Sequence, residues 1–256
     1  MPLGHLFLIS EGIISCMLEL KQYTKDLLDI SLKKYQVEQL ERYEETLMDW
    51  NQRMNLTAIQ DPKQIRVKHF LDSFTCTYEA HDLNNASVID IGTGAGFPGI
   101  PLKILFPKMK LTLVESIRKK VGFCQFVVNN LGLDNVEVLN ERAERVGQEK
   151  RHRQKYDWAI ARAVALMPIL VEYLLPLTRV GGKALAMKGE KALAETHQAE
   201  YAMQILGGHL HKIIPITLPG VVEQRYLIEI DKIAATPKEY PRRVGLPGKQ
   251  PLQNHS

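Results

Sequence analysis

Four glycines follow a short apolar run within eight positions, at Gly92, Gly94, Gly96 and Gly99. The apolar run is typical of a buried strand, and closely spaced glycines let a turn bring its backbone close to a ligand. About twenty residues after the glycines, the next apolar run ends at Glu115, where a carboxylate can accept hydrogen bonds from ribose hydroxyls. The pattern predicts a nucleoside-binding site.

The residue types around the glycines indicate which nucleoside binds. Gly94, Gly96 and Gly99 match the G-x-G-x-x-G spacing of dinucleotide sites. Asp90, two residues before the first glycine, would repel a pyrophosphate but could accept hydrogen bonds from an amino-acid ammonium, directly or through water. We therefore expect S-adenosylmethionine as the cofactor, with Asp90, Gly92 and Gly94 at its site. The alternative, a tight strand-to-helix turn without a ligand, requires one or two glycines rather than four.

These residues need an alternating framework to position them. Apolar runs predict strands at 87–91, 110–115, 135–139, 156–161, 181–187, 209–215 and 224–231, and helices at 98–106, 118–131, 166–179 and 190–206. Alternation of this kind indicates an α/β fold with a mostly parallel sheet. The last two strands are joined without a helix, so we expect them to pair antiparallel. The fold predicted is the Rossmann-like S-adenosylmethionine-dependent methyltransferase fold, a seven-stranded mostly parallel sheet with an antiparallel last strand, preceded by an N-terminal helical extension.

Apolar residues at helical spacing divide the rest of the chain. They repeat at three and four through residues 17–80, which predicts an N-terminal helical subdomain. We interpret residues 1–16 as a flexible extension, 81–235 as the methyltransferase domain and 236–256 as a basic C-terminal tail. Within the helical subdomain, one helix near 67–78 has a polar face. That face is either solvated or borders a substrate cleft.

Composition limits the function classes. The chain has 256 residues and a formal charge of only +4, so affinity for nucleic acid must come from local basic clusters. Each cluster could equally be a solvated surface. The three cysteines, Cys16, Cys76 and Cys124, lack the spacing of a zinc site or a disulfide framework. We expect a cytoplasmic monomer that binds no metal and does not enter a membrane.

Several further segments resemble one family. They are Asn51–Thr57, Lys68–Ser73, Ile91–Leu102, Glu115–Val121, Ile160–Ala163, Met187–Gly189 and Tyr240–Arg243. Together they resemble the bacterial small-subunit ribosomal RNA guanine-N7 methyltransferases, also called glucose-inhibited division protein B. The resemblance covers roughly residues 33–252. It implies methyl transfer from S-adenosylmethionine to N7 of a guanine in 16S ribosomal RNA, either naked or in a small-subunit ribonucleoprotein.

The resemblance also implies roles for individual residues. Cofactor contacts are expected at Gly92, Phe97, Glu115, Ser116, Ile117, Ala143, Glu144 and Arg162. For Glu144 we expect no side-chain contact. Arg162, Asn55 and His69 are the catalytic candidates, with Asp72 beside them at the substrate cleft. RNA contacts are expected at Lys119, Lys120, Lys188, Arg242 and Arg243.

The chemistry of guanine N7 suits the residues at the end of the fourth strand. Methyltransferases acting on exocyclic amines usually carry an acidic or amide residue there, followed by two prolines and an aromatic residue, whereas this chain has Ala161-Arg162-Ala163. N7 has a free lone pair and needs neither deprotonation nor a cysteine nucleophile. We therefore expect direct in-line transfer. Arg162 would contact the methionine carboxylate or an RNA phosphate; otherwise it forms a surface ion pair.

Three other functions fit parts of the pattern. A nicotinamide-dependent reductase could use the glycine turn, although little chain remains after residue 231 for a substrate domain. A non-catalytic RNA-binding module could use the basic clusters, but it would not need Glu115. A small-molecule methyltransferase is disfavoured by the basic tail and the helical segment before the sheet.

Overall fold

The computed structural model describes residues 17–253, so the expectation for residues 1–16 lies outside the described part. A single sheet contains β1 Ser87–Ile91, β2 Lys110–Glu115, β3 Val136–Asn140, β4 Tyr156–Arg162, β5 Thr178–Lys188, β6 Gly208–Ile216 and β7 Arg225–Lys232. The strand order is β3-β2-β1-β4-β5-β7-β6. β7 runs antiparallel to both β5 and β6, and the other neighbours are parallel. The predicted topology is confirmed, including the final antiparallel pair.

Helices precede the sheet and connect its strands. They are α1 (17–28), α2 Lys34–Met54, α3 Pro62–Ile65, α4 Asp72–Phe74, α5 Gly99–Leu105, α6 Arg118–Asn130, α7 Ala143–Gln148, α8 Met167–Leu174, α9 Ala192–Gln198, α10 Glu200–Ile205 and α11 Leu246–Lys249. A π-helical turn, Arg66–Leu71, joins α3 to α4, and a 3-10 turn, Thr75–Tyr78, follows α4. We call the continuous stretch from Pro62 to Tyr78 the cleft helix.

Alternating strand residues bury the two faces of the sheet in separate apolar layers. The first layer contains α1, α2, the cleft helix, α5 and α6, with Tyr43, Phe70 and Phe123 fully buried in it. The second layer contains α7, α8, α9 and α10. The N-terminal helices therefore share a core with the sheet, and this shared packing fixes the cleft helix at one edge of the sheet.

Four details differ from the sequence-based expectation. The helix predicted to reach residue 179 ends at Leu174, because Pro176 disfavours continued helix. β5 begins at Thr178 instead of 181, and the pairing register with β4 shifts between Tyr156 and Trp158, so Gly181 and Gly182 lie in a bulge. The helix expected at 190–206 is broken at Ala199. α7 was not predicted, since six residues are too few to show a helical period.

Between residues 17 and 253, no helix is long and apolar enough to cross a membrane. Across the same residues, no group of histidine, cysteine or acidic side chains is arranged to hold a metal ion.

Candidate functional site

The glycine-rich turn connects β1 to α5 where the strand order of the sheet reverses. β1 lies between β2 and β4, so a crevice opens there at the carboxyl ends of the strands. Gly92 and Gly94 have φ angles of +65° and +62°, a region that favours glycine. The N–H groups of Gly92 and Thr93 donate to the carbonyl oxygen of Val114 at 2.9 and 3.1 Å. The turn is thereby fastened to β2 and lines a cavity of about 350 Å³.

The buried side chain of Asp90 stabilises this turn. Its side chain is fully buried, and its Oδ2 accepts hydrogen bonds from the Thr93 hydroxyl at 2.6 Å and the Gly99 N–H at 2.9 Å. Burial raises the pKa of the carboxyl to about 7. Oδ1 is buried without a hydrogen-bond partner among the described residues. Asp90 holds the turn and is not among the residues that line the cavity, and its contact with a ligand ammonium, directly or through water, stays a prediction.

Glu115 ends β2 beside the turn. Oε2 accepts the Gly94 N–H at 3.1 Å, and Oε1 accepts the Ile117 N–H at 2.8 Å and the Ser116 hydroxyl at 3.5 Å. These bonds orient the carboxylate and leave lone pairs free, because each ionised carboxylate oxygen can accept more than one hydrogen bond. Glu115 is thus held next to Gly94, as a ribose acceptor requires.

Phe97 lies at the centre of a stack of rings beneath the cavity. The His69 ring stacks on it with centroids 4.5 Å apart, and Tyr43 of α2 stacks at 5.3 Å. The guanidinium carbon of Arg162 lies 4.9 Å from the Phe97 ring centroid, in cation–π range. The predicted apolar wall at Phe97 is therefore fixed by residues from the N-terminal helices and from β4.

Arg162 is engaged by the cleft helix. Its Nη1 donates to Asp72 Oδ2 at 2.9 Å and to the Lys68 carbonyl oxygen at 3.2 Å, and its Nη2 contacts His69 Nδ1 at 3.2 Å. The Asp72 carboxylate is almost fully buried. The ion pair with Asp72 is nearly buried, so Arg162 does not form an exposed surface ion pair. Arg162 also lines the cavity, and its contact with the methionine carboxylate or an RNA phosphate stays a prediction.

His69 is neutral at physiological pH. Burial, followed by the charge of Arg162, lowers its pKa to about 3. His69 Nδ1 lies 3.2 Å from Arg162 Nη2 and 3.1 Å from the Lys68 carbonyl oxygen, and Nε2 lies 2.9 Å from the Thr57 hydroxyl. Both ring nitrogens are therefore occupied within the protein.

The polar face of the cleft helix is buried rather than solvated. Asp72, Ser73 and Cys76 are all inaccessible, and Cys76 Sγ lies 3.6 Å from Met187 Sδ of β5. Asp72 and His69 line the cavity as the resemblance implied.

Asn55 is outside this group. It is an exposed residue with left-handed backbone, φ +49°, that ends α2. The cavity wall is formed by the next two residues, Leu56 and Thr57. Asn55 itself is not among the residues that line the cavity, so no contact in the structure supports the catalytic role expected for it.

The residues after β2 and β3 occupy the nucleoside side of the crevice. Ile117 is half exposed, and Ala143 is buried at the first turn of α7. The Glu144 carboxylate accepts the Gly245 N–H at 2.8 Å. Its side chain thus contacts the C-terminal segment.

Two of the five cations expected to bind RNA are instead paired inside the protein. Lys188 Nζ lies 2.6 Å from Glu195 Oε2 and donates to the Ala165 carbonyl oxygen at 2.8 Å. Arg242 forms a bidentate pair with Glu172, which is fully buried. These expectations are corrected, because each cation neutralises a buried carboxylate.

The other three cations are accessible. Lys120 lines the cavity, and Lys119 and Arg243 are exposed. Residues 236–253 do not form an extended tail. Arg153 donates to the carbonyl oxygens of Thr236, Pro237 and Tyr240 and holds the segment against the domain.

Sequence reasoning missed two residues at the site. The Tyr43 hydroxyl donates to the Ala95 carbonyl in the glycine-rich turn, although in sequence Tyr43 is simply one apolar position of α2. Arg225 begins β7 and lies 3.4 Å from Asp72 through Nη1. A reversed strand next to β5 brings its first residue to the carboxyl end of β4, but no local motif indicates this.

The cavity suits S-adenosylmethionine on its own geometry. A Cβ added at Gly94 would meet only the Gly92 carbonyl oxygen, at 4.0 Å, so this position faces open space. Glu115 presents an acceptor beside it for ribose hydroxyls, and Phe97 provides an apolar wall. Glu115, the main chain of Gly92 and Gly94, and Phe97 would hold the cofactor.

Comparison with known proteins identifies the family. Residues 36–221 match the family model GidB, described as rRNA small subunit methyltransferase G. A protein of Alkaliphilus metalliredigens named Ribosomal RNA small subunit methyltransferase G is 46% identical over 218 residues, covering 85% of this chain and 91% of that protein. The chain belongs to the GidB family. A protein of the same name from Roseiflexus castenholzii is 48% identical over 223 residues, covering 87% and 94% of the two chains.

Solved structures agree with the GidB assignment at the level of fold. A SAM-dependent methyltransferase from Aquifex aeolicus has a TM-score of 0.52 and 17% identity, covering 69% of this chain and 96% of that chain. Geranyl diphosphate C-methyltransferase from Streptomyces coelicolor A3(2), solved with Mg²⁺, geranyl diphosphate and S-adenosyl-L-homocysteine, has a TM-score of 0.51 and 12% identity, covering 64% and 79%. The predicted Rossmann-like methyltransferase fold is confirmed.

Proposed function

We propose that this GidB-family chain transfers a methyl group from S-adenosylmethionine to N7 of a guanine in 16S ribosomal RNA of the small subunit. The observation that carries the proposal is the cavity at the end of β1 and β4. Its lining includes Gly94, whose N–H donates to the ribose acceptor Glu115, together with Arg162 and Arg225, and the described lining residues include no free thiolate or base. The proposal assigns the reaction to a nucleophile that needs no activation by the enzyme.

Cysteine chemistry does not fit this cleft. Cys124 Sγ is buried and contacts the Gly94 carbonyl oxygen at 3.4 Å, and Cys76 is buried against Met187. Burial raises the pKa of both thiols. A protonated, inaccessible thiol cannot attack a pyrimidine carbon, which argues against cytosine C5 as the methylated atom.

General-base chemistry does not fit either. The His69 ring is neutral, but its Nδ1 contacts Arg162 and the Lys68 carbonyl oxygen, and its Nε2 contacts the Thr57 hydroxyl. A base must be within hydrogen-bond reach of the proton that it removes. Guanine N7 carries no proton and offers a lone pair, so its methylation makes no such demand.

The mechanism that follows is direct in-line transfer assisted by alignment. S-adenosylmethionine would supply an electrophilic methyl group on its sulfonium sulfur, and transfer of that group to N7 would leave S-adenosylhomocysteine. Glu115 fixes the ribose end, and the Phe97 wall excludes water from the opposite end. Positioning of reactants can supply about 7–11 kcal/mol. Arg162 acts here by fixing Phe97, His69 and Asp72, not by transferring a proton.

We further propose that the substrate RNA is bound by accessible cations around the cleft, Lys119, Lys120 and Arg243. Phosphate contacts of this kind position an RNA without reading its sequence. The proposal includes action as a monomer in the cytoplasm, on either free 16S ribosomal RNA or a small-subunit ribonucleoprotein.

The test is to map methyl groups in small-subunit RNA. RNA from cells lacking the gene is incubated with the purified chain and methyl-labelled S-adenosylmethionine, digested to nucleosides and analysed by mass spectrometry. We expect label in N7-methylguanosine at one position, and an unmodified guanine at that position in the untreated RNA. Label in an exocyclic amine, a ribose hydroxyl or cytosine C5, or no label at all, would reject the proposal.

A further inference from the structure

A second cavity, of about 260 Å³, adjoins the cofactor cavity. It lies at the ends of β4, β5 and β7. Asp72, Arg162, Ala163 and Arg225 line both cavities. Ala163 has a small side chain and follows the last residue of β4, so little separates a ligand in one cavity from a ligand in the other.

The second cavity is lined by both apolar and polar side chains. Met187, Ile216 and Leu227 line it with apolar side chains. The charged side chains of Asp72, Arg162 and Arg225 are shared with the cofactor cavity, whereas Thr75, Lys188 and Tyr226 line the second cavity alone. An extruded base is bound in this way, between apolar side chains with hydrogen bonds to one edge. A flat base placed here would direct its polar edge toward the methyl donor.

Arg225 is the guanidinium with donors to spare where the two cavities meet. Its one hydrogen bond within residues 17–253 is the long 3.4 Å contact from Nη1 to Asp72. Its Nε is buried without a partner. Arg162, by contrast, makes contacts with Asp72, the Lys68 carbonyl and His69. An unpaired buried donor is unfavourable, and an acceptor on a ligand would relieve that penalty.

We propose that the second cavity holds the target guanine and that Arg225 donates a hydrogen bond to its O6. The inference rests on the proposed function and identifies the residue that selects the base. N7 must face the cofactor cavity, and O6 lies beside N7 on the same edge of the purine. Adenine carries an amino group at the position of O6, so a donor there accepts guanine and repels adenine. Arg225 is thus a specificity residue, and N7 keeps its lone pair for the methyl group.

The experiment couples a change in the protein to a change in the base. Small-subunit RNA is assembled with either guanine or 2-aminopurine at the mapped position; 2-aminopurine keeps N7 but lacks O6. Single-turnover methylation is measured with the wild-type chain and with Arg225→Ala. For each protein, the rate on guanine RNA is divided by the rate on 2-aminopurine RNA, and the two quotients are compared. Differences in the intrinsic reactivity of the two bases affect both proteins equally and cancel in this comparison.

We expect the single-turnover rate of the wild-type chain to fall roughly 10- to 100-fold when O6 is removed, the usual effect of losing a hydrogen bond to a charged group. Arg225→Ala should lose a similar factor on guanine RNA, and its rates on the two RNAs should then agree within about twofold. Equal losses on removing O6 in both proteins would overturn the inference while leaving the proposed function intact. Failure of wild type to methylate guanine RNA would instead reject the proposed function, and the inference with it.

Two controls show that the variant is informative. Arg225→Ala should bind S-adenosylmethionine with wild-type affinity in titration calorimetry, because Arg162 still pairs with Asp72. Arg179→Ala removes a partly exposed arginine that pairs with Asp157 at the opposite edge of the sheet. It should show the wild-type loss on 2-aminopurine RNA. A similar change in both arginine variants would mean that loss of positive charge, and not recognition of O6, explains the result.

Discussion

The hydroxyl of Tyr43 donates a hydrogen bond to the main-chain carbonyl of Ala95, which lies 52 positions later in the sequence. Tyr43 belongs to α2, and Ala95 belongs to the glycine-rich turn. The Tyr43 ring also stacks on Phe97, two residues further along that turn. The N-terminal helices therefore determine the shape of the cofactor cavity, and the cleft helix also contributes Lys68, His69 and Asp72 to its lining.

We predict that Tyr43→Phe weakens S-adenosylmethionine binding. The substitution keeps the ring stack but leaves the Ala95 carbonyl without its donor, and an unsatisfied buried acceptor costs about 1–3 kcal/mol. Titration calorimetry measures the affinity. Tyr78→Phe is the matched control, since the Tyr78 hydroxyl donates to the Leu27 carbonyl at 3.1 Å, away from the turn. If both variants bind the cofactor as wild type does, Tyr43 has no influence on the site.

Glu115→Gln should weaken cofactor binding by about 1.5–3 kcal/mol, the range for hydrogen bonds to a charged group. The amide has the shape of the carboxylate but loses its charge and one acceptor oxygen. The fold should be retained, because Glu115 ends β2 and is held by main-chain donors. Glu137→Gln, near the start of the neighbouring strand β3 and away from the glycine-rich turn, removes an ion pair with Arg151 and should leave the affinity unchanged. Equal affinities for both variants would remove Glu115 from the site.

His69 should contribute no ascending limb to the pH–rate profile between about pH 6 and 8.5, where an ordinary histidine base titrates. Its pKa lies near 3, so the ring remains neutral throughout that range. Asp90→Asn is the control variant, because burial places the pKa of the Asp90 carboxyl at about 7, in the same range. A rate that rises tenfold per pH unit in wild type and not in His69→Gln would establish a base and argue against guanine N7.

The same pKa predicts an effect on stability. The unfolded chain binds a proton at His69 near the ordinary pKa of 6.5, whereas the folded chain does so only near 3. The free energy of unfolding should therefore fall as the pH drops from 6.5 toward 3, and His69→Gln should lack this part of the decline. Urea denaturation of both proteins at pH 7 and pH 5 measures the difference.

The accessible and buried cations should behave differently in RNA binding. Neutralising Lys119 and Lys120 should reduce the dependence of log affinity on log salt by about 0.9 for each lost duplex contact, or 0.7 for a single strand. Arg242→Ala should leave that slope unchanged and lower the free energy of unfolding by about 3–5 kcal/mol, because Glu172 would remain buried and unpaired. A slope unaffected by the lysine changes would show that they do not contact RNA.

The sequence was sufficient to predict what depends on local pattern. Apolar periodicity located all seven strands, and the glycines with Glu115 located the nucleoside side of the crevice. These features follow from backbone preferences and from spacing within about thirty residues. Their chemistry can therefore be predicted without knowledge of the tertiary packing.

Pairings between distant residues were not predictable in this way. Sequence motifs marked Lys188 and Arg242 as surface cations, but Glu195 and Glu172 neutralise them through tertiary packing. Arg162 and Asp72 meet only because the cleft helix is packed over the end of β4. The sequence shows how many charged side chains are present, but it does not show which of them form ion pairs with each other.

The position of β7 has a consequence for the order in which the protein can be made. β7 is inserted between β5 and β6, both of which precede it in the chain, and it is hydrogen-bonded to each along its length. Until the ribosome has released residues 225–232, β6 has no place in the sheet and β5 keeps an unpaired edge. Arg225 reaches the cleft only when this strand is inserted. During synthesis, therefore, the parts that bind cofactor are assembled first, and the cavity assigned to the target base is completed last.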